Sequence, residues 1–164
     1  MKQREAVRSG EQPVEVGVCT AAKKTILVVE DLPDFVRAVS RKLRSRGFEV
    51  MVARDGASAM DAVREREPDL VVLDVDLSGG EGLATLARMR ELPSHSGRPV
   101  VVLGSGADPM TRTRALEAGA AEFVAKSAAH ELFQTIERIL ASRYVSTSLR
   151  HLGFEISVVP PVWG

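Results

Sequence analysis

Short aliphatic runs recur along this chain, and between them apolar residues return every three or four positions. Ile26 to Val29, Phe48 to Val52, Leu70 to Leu73, Val100 to Leu103 and Phe123 to Ala125 have the length and composition of strands. Leu70 to Leu73 is wholly apolar, which predicts a central strand buried on both faces. The intervening stretches read as helices. Pro33 suits a first helical turn, with Val36, Val39 and Leu43 on one face until Gly47 stops the helix. Asp55 can cap a second helix through Met60 and Val63, ending before Pro68. After a Gly-rich loop, Leu83, Leu86 and Met89 or Arg90 mark a third, ending near Pro93. Asp108-Pro109 opens a fourth that runs to Gly119. Ser127 can cap a fifth, carried by Leu132, Ile136, Ile139 and Leu140 and extended by Tyr144.

Strands that alternate with helices make βαβ units and a parallel sheet, so the pattern predicts an α/β fold. The expected organisation is a flexible leader over residues 1–24, one domain over 25–144 and a C-terminal extension over 145–164. Within that extension Phe154 to Trp163 is apolar, holds two prolines and has no assigned place.

Composition narrows the class. A chain of 164 residues, 45% apolar and 27% charged, suits one soluble domain. Lysine plus arginine equals aspartate plus glutamate at 22 each, so no net charge steers the chain towards nucleic acid or acidic membranes. The Arg-rich stretch Arg37 to Arg46 fits the solvent face of the first helix. Cys19 is the single cysteine, and no Cys or His cluster has zinc-ligand spacing. His95, His130 and His151 are scattered and read as surface residues. No apolar stretch approaches the roughly 20 residues that cross a bilayer, and no apolar segment follows the charged start, so a cytoplasmic location is expected.

Three of the strands end on groups that phosphate chemistry needs. The first runs into Glu30 and Asp31, the third into Asp74 and the fifth into Lys126. Parallel strands bring these to one sheet edge, where open α/β sheets build their sites. Three carboxylates that close disfavour joint ionisation without a compensating cation. All-oxygen ligation suits Mg²⁺, an aspartate beside it can attack phosphorus, and an amine can neutralise the transferred group.

With those residues in place, the chain resembles the receiver domain of two-component response regulators over roughly Lys24 to Tyr144. Ile-Leu-Val-Val-Glu-Asp resembles the first strand with its acidic pair. Leu-Val-Val-Leu-Asp-Val-Asp-Leu-Ser-Gly-Gly-Glu-Gly around Asp74 resembles the phosphoacceptor and its loop, and Ala118-Gly119-Ala120 leading to Phe123 and Lys126 resembles the last signature. The resemblance implies a flavodoxin-like (βα)5 fold with a five-stranded parallel sheet in the order 2-1-3-4-5. It implies that Asp31 and Asp74 bind Mg²⁺ with the backbone carbonyl of Asp76 and with support from Glu30, and that Phe123 stands where the family has its switch aromatic.

The chain departs from the family at three positions. Gly104 stands where receivers carry a Thr or Ser hydroxyl, with Ser105 one residue late. Ser127 follows the lysine where proline is usual, and Ser78 stands where proline is common before Gly79-Gly80. These glycines, with Gly82, form no phosphate-binding GxGxxG and read as a turn at the mouth of the site.

The leading expectation is phosphorelay: Asp74 accepts a phosphoryl group from a histidine kinase or phosphotransfer protein, and a protein partner reads the result. No enzyme activity is expected beyond assistance to its own phosphorylation and dephosphorylation, and no direct nucleic-acid contact; a homodimer is allowed for. One alternative is a degenerate receiver that docks partners without a switch, which Gly104 favours. Another is a haloacid-dehalogenase-type phosphatase, because Asp74-Val75-Asp76-Leu77-Ser78 resembles that nucleophile motif, although here it falls on the third strand.

Overall fold

A computed structural model describes residues 23–106 and 108–151, with side chains as far as 143. Cys19, most of the 1–24 leader, the side chain of His151 and the Phe154 to Trp163 segment lie outside the described residues. Five strands and five helices alternate: β1 (Thr25–Val29), α1 (Pro33–Ser45), β2 (Glu49–Ala53), α2 (Gly56–Arg66), β3 (Leu70–Asp74), α3 (Gly82–Glu91), β4 (Val100–Gly104), α4 (Pro109–Glu117), β5 (Glu122–Ala125) and α5 (Ala129–His151). All strand pairs are parallel, in the order β2-β1-β3-β4-β5. The α/β class, the flavodoxin-like fold and the order 2-1-3-4-5 are therefore as the resemblance implied.

Period-two alternation sorts the strand residues onto two cores. Leu27, Val29, Val71, Leu73, Val100, Val102 and Phe123 face α2, α3 and α4, where they meet Met60, Val63, Leu86, Met89 and Ala115. Ile26, Val28, Leu70, Val72, Val101, Leu103 and Val124 face Val39 and Leu43 of α1 and Leu132 and Ile136 of α5. Both faces are covered, so β3 and β4 are buried at every position. Each fully buried Val or Leu contributes about 1.5–3 kcal/mol relative to exposure. The edge strand β2 is mostly half-buried or exposed, and its sequence is correspondingly mixed.

Local chemistry sets the boundaries. Asp55 caps α2 by accepting from the Ser58 N–H at 2.7 Å, and Ser58 returns the contact in a capping box. Asp108 caps α4 by accepting from the Met110 N–H at 2.9 Å, with Pro109 in the first turn. Tyr144 does lie within α5. Four expectations need correction. Phe48 belongs to the turn leaving α1, its N–H donating to Leu43 O at 3.3 Å, so β2 starts at Glu49 and runs one residue later. Ser127 is not the cap of α5, because a 3-10 turn over Lys126–Ala128 leads straight into Ala129. α4 ends at Glu117, two residues before Gly119, whose φ of +96° turns the chain into β5.

His95 is the fourth correction: it is fully buried, not on the surface. Neither of its ring nitrogens has a hydrogen-bond partner. Its loop is tied down by the Arg90 guanidinium, which donates to the carbonyls of His95 and Arg98 and, across the domain, to that of Gly119 at 2.8 Å. An isolated histidine gives no sequence signal for this burial, because the loop is fastened by backbone carbonyls to an arginine that also bonds Gly119, 29 residues away. The Arg-rich face of α1 is as expected: Arg37 and Arg41 are exposed, and Arg46 pairs with Glu137 of α5 at 2.9 Å.

Candidate functional site

The order β2-β1-β3 places a switch point between β1 and β3, because α1 carries the chain to one side of β1 and later elements extend the other. A crevice opens there at the carboxyl ends of the strands. Glu30 continues β1, its N–H donating to Ala53 O at 3.1 Å, and Asp74 is the last residue of β3. Their side chains are 0% and 1% exposed, whereas Asp31 is half-buried at the mouth. Glu30, Asp31 and Asp74 each offer a carboxylate oxygen within 4.8 Å of the others.

Lys126 arrives from the end of β5. Its ammonium lies 2.8 Å from Asp74 Oδ2 and 2.9 Å from Glu30 Oε2, with the Phe35 ring centroid 5.4 Å away. The other carboxylate oxygen of Glu30 and of Asp74 is held by main chain. Leu32 N–H donates to Glu30 Oε1 at 3.1 Å, and Asp76 N–H to Asp74 Oδ1 at 3.0 Å. Asp31 Oδ2 accepts both the N–H of Ser78, at 3.0 Å, and its hydroxyl.

These contacts shape the protonation of the pocket. Burial pushes the Glu30 carboxyl above its usual range, outweighing the opposing bonds from Lys126 and Leu32. The Ser78 hydroxyl, helped by its N–H, holds Asp31 below the usual carboxylate range. Burial works against the charge on Lys126, but its bonds to Asp74 and Glu30 prevail and hold the ammonium above its ordinary value. One ammonium among three carboxylates leaves an excess of acid, and all-oxygen donors of that charge suit a hard divalent cation.

Residues 26–137 match the family model described as the response regulator receiver domain. The chain belongs to that family. It is 39% identical over 104 residues to the DNA-binding response regulator MtrA of Mycolicibacterium smegmatis, a match covering 63% of this chain and 44% of that protein. Against the transcriptional regulatory protein KdpE of Mycobacterium tuberculosis it is 37% identical over 101 residues, covering 62% and 43%. The matched region thus spans less than half the length of these curated relatives. A response regulator structure from Thermotoga maritima is similar at a TM-score of 0.64 and 28% identity, over 73% of this chain and 98% of that one.

In this receiver the fold gathers Glu30, Asp31, Asp74 and Lys126 at one edge, as the strand ends implied. Asp76 has a side-chain contact that the sequence did not suggest: its Oδ2 accepts from the Ser105 N–H at 2.9 Å, tying the loop after β3 to the one after β4. Ser105 does not replace the missing hydroxyl by a slip of the strand. β4 stays in register with β5 to its last residue, Gly104 opposite Ala125, and Ser105 follows exposed. Phe123 is buried at 6% exposure. Sequence reasoning also missed the hold of Ser78 on Asp31. The signal was there in a hydroxyl and an N–H at a position where proline would supply neither. The peptide between Lys126 and Ser127 is trans, and Gly79 and Gly80 form the expected turn, both at positive φ. Among the described residues, no helix is long and apolar enough to cross a membrane.

Proposed function

We propose that this receiver works in a phosphorelay, taking a phosphoryl group onto Asp74 from the phosphohistidine of a histidine kinase or phosphotransfer protein. The observation that carries the reading is Lys126: its ammonium sits against a buried aspartate and a buried glutamate, at the edge where a third acid joins them. Such a pocket holds the acceptor, a charge partner and an all-oxygen cation site together.

Asp31 and Asp74 would hold Mg²⁺, with the Asp76 carbonyl as a further donor and Glu30 in support. A bound Mg²⁺ supplies charge neutralisation on the phosphoryl oxygens. The rest falls to the chain. An Asp74 carboxylate oxygen forms the new bond to phosphorus as the bond from phosphorus to the histidine nitrogen breaks, and the released imidazole takes up a proton from solvent. Asp76 N–H and Lys126 already bind the two Asp74 oxygens, so the acceptor is oriented before the donor arrives. Lys126 then turns its charge towards the transferred group. Water later hydrolyses the acyl phosphate, so the protein assists its own phosphorylation and dephosphorylation.

Two surfaces support protein partners. An apolar groove between α1 and α5, lined by Phe35, Ala38, Val39 and Phe133, lies beside Lys126 and suits a donor protein. The face of α4, β5 and α5 suits a partner that reads the state.

Incubation with acetyl phosphate and Mg²⁺ should label the wild type and leave Asp74→Ala unlabelled. Labelling that persists in Asp74→Ala contradicts the assignment, and turnover of an aryl phosphate would favour the phosphatase alternative. Gly104 favours a second reading, a receiver that docks partners regardless of phosphorylation. Partner affinity that is equal with and without phosphodonor selects it.

A further inference from the structure

Gly104 and Phe123 share a face of the sheet, and they occupy each other's space. A Cβ built on Gly104 would lie 2.8 Å from Phe123 Cζ, 2.9 Å from Phe123 Cε2 and 3.0 Å from Val75 Cγ2. Carbon atoms do not approach that closely without displacing something. The ring of Phe123 thus fills the volume that any side chain at position 104 would need. In the ladder Phe123 is paired with Val102, so its ring leans along β4 to reach the bare backbone at the strand end. Outside the ring, the Arg112 guanidinium lies 6.0 Å from the ring centroid and donates to Phe123 O at 3.2 Å, while pairing with Glu122 at 3.3 Å.

We infer that Gly104 is a seat that fixes Phe123 in the buried position, so that the ring stays there whether or not Asp74 carries a phosphoryl group. This rests on the proposal that Asp74 is the phosphoacceptor. Two physical reasons support it. If the ring left, no side chain at 104 could move into its place, and the departure would open a void against β4 and Val75 while exposing an aromatic surface. Nor does position 104 have a hydroxyl that could move towards a phosphoryl group and make room for the ring. A partner reading α4, β5 and α5 therefore meets the same Phe123 in both states, and any response to phosphorylation reaches that face by another route.

Two measurements on the full chain test this. The first is a double-mutant cycle of Gly104→Ala and Phe123→Leu followed by urea unfolding. Gly104→Ala should lower the midpoint clearly with Phe123 present and by less than half as much with Phe123→Leu. The general gain of replacing glycine in a strand is common to both backgrounds and cancels. Equal losses in the two backgrounds overturn the seat.

The second uses the unmutated pair and so stands even if a variant fails to fold. The Phe123 ring signals, assigned by their absence in Phe123→Leu, are followed by NMR with a soluble paramagnetic probe, before and after Mg²⁺ and beryllofluoride. Unchanged protection of the ring, alongside shifts of the residues around Asp74, is the expected result. Added relaxation of the ring on beryllofluoride binding overturns the inference. If the signals around Asp74 do not respond at all, the proposed function is what fails, and the cycle still decides the seat.

Discussion

Lys126 Nζ stands 2.8 Å from Asp74 Oδ2 across 52 residues of sequence, with the Asp74 side chain 1% exposed and that of Lys126 19%. The same ammonium is the partner of Glu30, which is fully buried. Removing a partner from a buried pair costs more than the pair itself contributes, because the remaining charge has no compensation. Lys126→Met should therefore lose about 3–5 kcal/mol of stability at neutral pH. Mg²⁺ should restore a part of it if the acids bind the ion, since a ligand that binds only the folded state stabilises it. Urea unfolding with and without Mg²⁺ measures both effects; a variant as stable as the wild type contradicts the first.

His95 makes stability depend on pH. Burial, with Arg98 and Arg90 nearby, lowers its pKa from 6.5 to about 4. Between those values the unfolded chain binds a proton that the folded chain refuses, so this contribution is fully present above about pH 6.5 and is lost as the pH falls towards 4. The expected slope is about 1.4 kcal/mol per pH unit in that window. Urea unfolding between pH 4.5 and about 7 should show it, and His95→Leu should flatten the curve there.

Ser78 acts on Asp31 through two donors. Ser78→Ala removes the hydroxyl, which is the largest influence keeping the Asp31 carboxyl below its ordinary range. The Asp31 pKa should then rise towards the ordinary aspartate range. An NMR titration of its carboxyl carbon without divalent cations checks the direction, and no change would mean that the hydroxyl does not hold it.

Arg90 joins α3 to the His95 loop and to the turn before β5 by donating to carbonyls in both. A lysine cannot make that fork. Arg90→Lys should cost about 1–2 kcal/mol, since the partly buried carbonyls of His95 and Arg98 lose a donor. Thermal unfolding reads the loss, which should be nearly as large as that for Arg90→Met.

Much of this architecture is legible in the chain because its signals are local. The aliphatic runs, the Asp55 and Asp108 caps and the spacing of Val36, Val39 and Leu43 report what a segment needs irrespective of its neighbours. The gathering of Glu30, Asp31, Asp74 and Lys126 was also legible, since parallel strands leave their ends at one edge. What stayed hidden depends on long-range closure. The anchoring of the His95 loop involves Arg90, which also bonds the carbonyl of Gly119 29 residues away, the hold on Asp31 depends on a serine 47 residues away, and the seat of Phe123 on an atom that Gly104 lacks. The start of α5 was misread for a related reason: the chain leaves β5 by a 3-10 turn that carries Lys126 towards the acids, so Ser127 had no terminus to cap.

The most direct test of the account is to locate the phosphoryl group. The full chain is treated with acetyl phosphate and Mg²⁺, reduced with borohydride, which converts an acyl phosphate to the corresponding alcohol, and mapped by peptide mass spectrometry. Homoserine at position 74, dependent on Mg²⁺, is the predicted result. Modification at any other acid, or none at all in protein that binds Mg²⁺ at this pocket, would contradict it.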